Sequence, residues 1–285
     1  MAKKTIITAA LTGAVTPKEL NPYIPLTPEE IAEDAYQCWK AGAAIVHLHM
    51  RDDEGLGTMD QKKFAETVKL IRAHEDCDVV INCTSSGAAK MPPDEGRMEH
   101  FETLPEIEMG SFDAGSMNWG CQMVFENSPR FLEKLCDCYL RNDVKPELEI
   151  FDRGMLGNAN YYAKKGLLKT PMYYQFVLGV LGGMEATPEN LVNLVQHIPE
   201  GSTWSAFGIG AGHLPIMFTA LALGGHIRVG LEDNVIMGRD ENGQKILATN
   251  VKLVERAVHA VKCFGNDVAT PAEAREILGI KPFVR

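Results

Sequence analysis

The chain has 285 residues, which exceeds the usual domain size but suits a single-domain α/β barrel. Its net charge of −10 argues against nucleic acid or an anionic membrane as a partner, so an anionic substrate would need local positive charge from a metal or arginines. The seven cysteines are scattered and form no C-x-x-C pair, and neither a signal peptide nor an apolar run of about 20 residues is visible. We therefore expect a cytoplasmic protein with reduced thiols.

Short apolar runs rich in β-branched residues alternate with amphipathic segments along the whole chain. Strands are predicted at residues 5–11, 45–51, 79–84, 107–111, 146–151, 172–178, 203–207 and 226–233. Helices are predicted at about 28–41, 60–73, 129–141, 154–166 and 249–264. Three more are predicted to begin at residues 187, 213 and 271, and part of 91–101 is also predicted to be helical. Such alternation predicts a single (β/α)8 TIM barrel over residues 1–285 with a C-terminal helical extension. A doubly wound sheet is the second choice, because no G-x-G-x-x-G turn follows strand one.

The second strand carries the sequence His47-Leu48-His49. Alternate residues of a strand point to the same face, so both imidazoles can meet one divalent metal. The best third ligand is Glu232 on the eighth strand, where Arg228 shares its face by the same parity. In a barrel, strands two and eight can aim these side chains into one mouth. The alternative is that the two histidines are satisfied core residues.

Residues around this group suggest further chemistry. Asp233 adjoins Glu232 and is a candidate general base, and Arg228 could hold a carboxylate or lower the pKa of Asp233. Glu149 on strand five could orient groups or relay protons, or it could form an interior ion pair. Cys83 could be a thiol nucleophile, although a small buried apolar residue is the simpler interpretation.

Other polar residues lie at strand ends or in helices. Cys83 and Thr84 end strand three, and Ser116 and Asn118 follow strand four. We expect these four residues to contact substrate, near the small-residue loop that ends at Ala88. His213 begins a helix after a glycine-rich loop and could be functional or a cap. The remaining histidines of polar stretches are predicted to be solvated; they are His74, His100, His197 and His259.

The sequence resembles the β-keto acid cleavage enzymes nearly from end to end. The motifs that carry the resemblance are Ile7-Thr8-Ala9-Ala10, His47-Leu48-His49, Pro146-Glu147-Leu148-Glu149, Gln175-Phe176-Val177-Leu178-Gly179-Val180, Ala269-Thr270-Pro271 and, most specifically, the long run from Gly224 to Asn234.

This resemblance implies a homotetrameric TIM barrel with zinc on His47, His49 and Glu232. It also implies a reaction between a β-keto acid and acetyl-CoA that gives acetoacetate and a new acyl-CoA. The family's base aspartate and arginine correspond to Asp233 and Arg228, and its strand-five glutamate corresponds to Glu149. In that scheme Asp233 removes a C2 proton, the zinc-stabilised enolate attacks the thioester, and a retro-Claisen step releases acetoacetate.

Three positions depart from the family pattern. The family's type member has a glutamate for the substrate's ammonium group where this chain has Val15, so we expect an uncharged, apolar substrate tail here. A strand-three serine is replaced by Cys83, and Ala211-Gly212 replaces an arginine before His213.

Two other interpretations of the residues stay open. A zinc aldolase or a metal-dependent hydrolase is the enzymatic alternative, although the amidohydrolase type has His-x-His on strand one and a lysine on strand four, unlike this chain. A metal-loaded binding barrel without catalysis is the other alternative.

Overall fold

A computed structural model describes residues 2–87 and 93–284 of the chain. Eight parallel strands close into one barrel in which each strand pairs with the next and the last pairs with the first. In chain order they are β1 (Ile7–Ala10), β2 (Ile45–Leu48), β3 (Val80–Cys83), β4 (Met109–Asp113), β5 (Lys145–Ile150), β6 (Tyr173–Leu178), β7 (Thr203–Gly208) and β8 (His226–Val229). The predicted TIM barrel is confirmed.

Helices surround the barrel and alternate with its strands. They are α1 (Pro28–Ala41), α2 (Gln61–Ala73), α3 (Glu99–Thr103), α4 (Pro129–Arg141), α5 (Arg153–Lys164), α6 (Pro188–Val195), α7 (His213–Leu223), α8 (Asn250–Cys263) and α9 (Pro271–Leu278). No helix within residues 2–87 and 93–284 is long and apolar enough to cross a membrane.

Local sequence explains the helix boundaries. Thr27 and Thr270 each form a capping box with the glutamate three residues later, and proline occupies the first turn of both helices. Helix α1 ends at Gly42, which adopts a left-handed conformation with φ of 118°. These boundaries were predicted from the sequence and are confirmed.

The core has an apolar shell and a polar interior. Outward-facing strand residues such as Val46, Leu48 and Ile81 pack in one cluster with the buried faces of the helices. The inward-facing residues, by contrast, include many buried polar side chains, namely Thr8, Asn82, Glu147, Gln175 and Ser205. A barrel interior is usually filled by branched apolar residues, so this polarity marks the region beneath the candidate site.

Several strand boundaries differ from the prediction. Strand β2 ends at Leu48, because Met50–Arg51 turns away to form a hairpin with Gly57–Thr58. Strand β8 ends at Val229 because Gly230, with φ of 149°, breaks the extended backbone. The prediction that Glu232 lies on a strand is therefore wrong. The prediction that it lies at the barrel mouth with the two histidines is correct.

Two further hairpins were not predicted. They pair Met117–Trp119 with Met123–Phe125 and Ile236–Arg239 with Lys245–Leu247. Ala88 and the first residues of the predicted 91–101 segment lie outside the described residues.

Candidate active site

Two histidines and one glutamate meet at the mouth formed by the carboxyl ends of β2 and β8. The Nε2 atoms of His47 and His49 lie 3.8 and 3.5 Å from Oε1 of Glu232. Ligand atoms of the three residues all fall within 4.8 Å of one another. The sequence predicted this set, and the fold brings its members together.

The backbone around Glu232 explains how it reaches the histidines. Its N–H donates to the carbonyl of Ala10 at the end of β1, and the preceding Leu231 N–H donates to Oδ1 of Asn250 at the start of α8. Gly13 packs so closely that an added Cβ would lie 2.7 Å from Cγ of Glu232. The glutamate is therefore held by the turn after β8 and by the loop after β1.

The donor set suits a zinc ion. Ligand atoms at about 2.0–2.2 Å from a tetrahedral zinc are about 3.3–3.6 Å apart, close to the two separations above. Burial lowers the pKa of His47 well below its ordinary value, which keeps its imidazole neutral as a ligand must be. The second oxygen of Glu232, Oε2, is buried and has no hydrogen-bond partner among the described residues, so it is available to a metal.

Arg228 binds Asp233 with a two-pronged ion pair. Its Nε and Nη2 donate to the two carboxylate oxygens at 3.0 and 2.9 Å, and Nη2 also donates to Oε1 of Glu232 at 2.6 Å. Burial raises the pKa of Asp233 to about 6 despite the opposing positive charge of Arg228. As expected, the charge of Arg228 lowers the pKa of Asp233, but burial raises the same pKa by more.

Glu149 lies on the other side of Arg228. Its Oε1 is 3.6 Å from Nη1 of Arg228 and accepts a hydrogen bond from the Ser111 hydroxyl. Burial, followed by the charge of Asp113, raises the pKa of Glu149 well above the ordinary value. The contact with Arg228 considered from the sequence is thus present, but burial favours the protonated form of Glu149 over a full ion pair.

A second carboxylate lies beneath His47. Oε2 of Glu147 is 3.6 Å from Nδ1 of His47 and accepts a 2.6 Å hydrogen bond from the Asn82 side-chain amide. Burial raises the pKa of Glu147 to about 7. A carboxylate that accepts from the far nitrogen of a ligating histidine would orient the ring, and Glu147 lies on that side of His47, although 3.6 Å is longer than a hydrogen bond.

Cys83 does not face this mouth. It is fully buried, packs in the apolar cluster between the barrel and the helices, and burial raises the pKa of its thiol. The neighbouring Asn82 takes the inward position instead. This placement supports the interpretation of Cys83 as a small buried apolar residue and argues against the predicted substrate contact.

The other predicted substrate contacts differ in exposure. Thr84 is buried, and its hydroxyl donates a hydrogen bond to the Ser86 hydroxyl. Ser116 precedes the hairpin after β4 and Asn118 lies in it, and both are exposed. Val15 is 67% exposed in the loop after β1. No structural observation shows substrate at these residues, so their role stays a prediction.

The remaining histidines correct one prediction. His100 is fully buried, stacks on Phe64 with ring centroids 4.2 Å apart and contacts the Thr84 carbonyl, so its predicted solvation is wrong. His74 is half-buried against Tyr36, whereas His197 and His259 are exposed as predicted. His213 begins α7 and lies within hydrogen-bonding distance of Asn234 and Arg256.

Sequence reasoning missed several residues of the site. Asp113 is paired in register with Glu149, and burial raises its pKa to about 6. Arg51, Asn82 and Glu147 were passed over as well. Alternation could have indicated Arg51 and Glu147. Arg51 follows His47 and His49 at every second position, and Glu147 precedes Glu149 by two residues.

At the mouth of this closed α/β barrel, two buried histidines meet a partly buried glutamate beside an Arg-Asp pair. This is the architecture of a barrel enzyme with a candidate metal centre. Residues 4–280 match the family described as beta-keto acid cleavage enzyme, and the chain belongs to that family.

Individual relatives agree with this membership. The chain is 42% identical over 283 residues to a 3-keto-5-aminohexanoate cleavage enzyme of Fusobacterium nucleatum, covering 99% of this chain and 100% of the relative. It is 34% identical over 299 residues to a 3-dehydrocarnitine:acetyl-CoA trimethylamine transferase of Rhizobium meliloti, covering 98% and 97% of the two chains. The solved apo structure of ObcA has a similar fold, with a TM-score of 0.80 and 21% identity over 91% of this chain and 66% of that chain. The chain thus spans about two thirds of ObcA.

Proposed function

We propose that this protein is a zinc-dependent acyltransferase that converts a β-keto acid and acetyl-CoA into acetoacetate and a new acyl-CoA. The observation that carries the proposal is the meeting of His47, His49 and Glu232 beside the Arg228–Asp233 pair. Family membership supports the reaction class, and the transferase of Rhizobium meliloti is named for acetyl-CoA. This combination favours the acyltransferase over a hydrolase, an aldolase or a binding barrel.

Zinc bound to the two histidines and Glu232 would supply a Lewis acid for the keto oxygen and for the negative charge that develops after proton removal. The protein's own residues would do the rest. Asp233 is the proposed base that takes the C2 proton of the β-keto acid. Its ion pair with Arg228 fixes the direction of both carboxylate oxygens, so the base is held in place before substrate binds.

The proposed reaction then exchanges two acyl groups. The C2 enolate attacks the acetyl carbonyl of acetyl-CoA, a carbon–carbon bond forms, and the CoA thiolate leaves. The thiolate attacks the original keto carbon, and the bond between that carbon and C2 breaks in a retro-Claisen step. The electron pair left on C2 takes up the proton held by Asp233, which gives acetoacetate and the new acyl-CoA.

Glu149 would serve this cycle as a positioning residue. Its contact with Nη1 of Arg228 restrains the guanidinium from the side opposite Asp233. Because burial raises its pKa, Glu149 can also hold a proton inside the barrel near the Asp233 pair.

The substrate tail is proposed to lie near Val15, with Thr84, Ser116 and Asn118 as further contacts around the mouth. A buried ammonium would need a carboxylate partner, which valine cannot provide. We propose that short apolar β-keto acids such as 3-oxopentanoate and 3-oxohexanoate are preferred. The 42% identity to a 3-keto-5-aminohexanoate cleavage enzyme favours the aminated acid as the second candidate.

Self-association as a homotetramer is part of the proposal. Helix α7 contains no charged residue, and its outer side exposes Leu214 and Phe218, with Phe264 stacked on Phe218. A helix that is apolar on all sides is normally covered on all sides. A second copy of this chain is the proposed cover, and the cytoplasm is the proposed location.

The direct test is turnover with a panel of β-keto acids and acetyl-CoA, scored by acetoacetate and acyl-CoA formation. Purified protein should form both products in equal amounts and only when acetyl-CoA is present. Cleavage that proceeds without acetyl-CoA would instead support the hydrolase or aldolase.

A further inference from the structure

Arg51 is a buried arginine that binds four backbone carbonyls of two loops. Only 2% of the residue is exposed. Its Nε donates to Gly13 at 2.6 Å, and Nη1 donates to Gly55 at 2.7 Å. Its Nη2 donates to Thr12 and Thr16 at 3.0 and 2.8 Å. Three of the four acceptors thus belong to residues 12–16, which we call the 12–16 segment.

All four partners of Arg51 are backbone carbonyls. Within residues 2–87 and 93–284, no carboxylate oxygen lies within 4.0 Å of it, whereas Arg228 and Arg275 both contact carboxylates. A planar guanidinium presents its donors in a fixed fork, so several carbonyls bound to it are fixed relative to one another. Arg51 therefore fixes the shape of the loop backbone.

The 12–16 segment touches the candidate metal site. Gly13 has φ of 62°, and an added Cβ would lie 2.7 Å from Cγ of Glu232. On the other side of the segment, a Cβ added to Gly57 would lie 2.8 Å from Cβ of Ala14. The segment is thus pressed between the Met50–Arg51 hairpin and the side chain of Glu232, and Val15 lies in it.

We propose that Arg51 is a positioning residue that holds the 12–16 segment against Glu232. Arg51 lies two residues after His49 and donates to the segment that carries Val15. Its guanidinium therefore links the backbone after β2 to that segment and, through Gly13, to Glu232. The position of the third metal ligand and the shape of the substrate mouth then depend on one side chain. The effects on zinc binding and on the substrate mouth rest on the proposed function, whereas the restraint of the 12–16 segment by Arg51 is independent of it.

The test uses Arg51→Lys, which keeps the charge but loses the fork, with Arg275→Lys as the matched control. Arg275 is equally buried and donates to the Asp78 carbonyl and to Glu108, beneath the opposite end of the barrel. In metal-free protein, amide hydrogen exchange of the 12–16 segment should accelerate at least tenfold in Arg51→Lys and stay unchanged in Arg275→Lys. The zinc dissociation constant, measured by chelator competition, should rise about 10- to 100-fold in Arg51→Lys alone.

A second variant approaches the contact from the loop. Gly13→Ala leaves Arg51 intact but forces the segment away from Glu232, so zinc should again be bound more weakly. Unchanged exchange in Arg51→Lys, or wild-type zinc affinity in Gly13→Ala, would overturn the inference. If exchange accelerates and zinc binding weakens while wild-type protein forms no acetoacetate, the positioning role stands and the proposed function fails.

Discussion

His49 contributes one ring nitrogen to the candidate metal group, 3.5 Å from Glu232. Replacing His49 with alanine removes one of three protein ligands, so we expect His49→Ala to lose both bound zinc and acetoacetate formation. His259→Ala, at an exposed histidine of α8, is the control and should keep about one zinc per chain. Metal analysis of both purified variants checks the prediction, and zinc retained in His49→Ala would remove His49 from the site.

Asp233 is the residue on which the proposed chemistry depends most. Asp233→Asn keeps the shape of the side chain but cannot accept the C2 proton. Zinc content should be unchanged, and kcat should fall by about two to four orders of magnitude, the usual contribution of a general base. A rate near wild type would assign the base elsewhere, with Glu149 as the next candidate.

Val15 decides the predicted substrate preference. Val15→Glu supplies a carboxylate at the mouth, so the ratio of kcat/KM for 3-oxo-5-aminohexanoate to that for 3-oxohexanoate should increase. Asn118→Asp places a carboxylate at another exposed residue, after β4, and the same kcat/KM ratio is measured for it as a comparison. Wild-type protein that already prefers the aminated acid would show that another carboxylate meets the ammonium group.

At the level of elements, the turn after β8 decides where Glu232 lies. Gly230 has φ of 149°, and an added Cβ would overlap the carbonyl of Ala10 on β1. The chain therefore leaves the barrel sharply after Val229, and Leu231 N–H is held by Asn250. The contact between Glu232 and the histidines depends on this glycine.

Gly230→Ala should therefore destabilise the protein and weaken zinc binding together. The control is Gly243→Ala in the Ile236–Leu247 hairpin, where φ is also positive, at 77°, but the space around the residue is open. We expect Gly243→Ala to cost about 1 kcal/mol, and Gly230→Ala to cost more because backbone strain and overlap add. Equal costs in denaturant unfolding would contradict this account of the turn.

Local sequence predicted some elements well and others poorly. The capping boxes at Thr27 and Thr270 and the glycine after α1 define helix ends through contacts within a few residues, so they could be predicted. Asn242-Gly243 was an available turn signal for the missed second hairpin. The burial of His100 depends on Phe64 and Thr84 from distant parts of the chain, which no local pattern contains.

For the whole molecule, barrel closure is the step that assembles the site. Strand β8 pairs with β1 and β1 with β2, with Arg228 opposite Thr8 and Ala10 opposite His47. The alternation of strands and helices predicted this closure, and closure explains why residues from opposite ends of the chain meet. The polar interior was not predicted as a whole. Alternation along β5 places Glu147 on the same face as Glu149, but the position of Asn82 beside His47 follows only from the register between β2 and β3.

The apolar outer side of α7 is the proposed contact surface between copies of the chain. Leu214 and Phe218 are 38% and 43% exposed in the single chain. If copies of the chain cover this side, Phe218→Glu should shift the tetramer to smaller species, because a carboxylate would be buried without a partner. Tyr161→Glu on the exposed side of α5 is the control. Light scattering after size exclusion checks both, and an intact tetramer in Phe218→Glu would place the contact on another surface.

The proposed acetyl-CoA-dependent cleavage requires one metal ion on His47, His49 and Glu232. The most direct measurement strips the purified protein with a chelator and returns zinc stepwise while acetoacetate release is followed. Metal-free protein should release no acetoacetate, and the rate should rise linearly with added zinc to a plateau at about one zinc per chain. Full turnover by the metal-free protein would contradict this requirement.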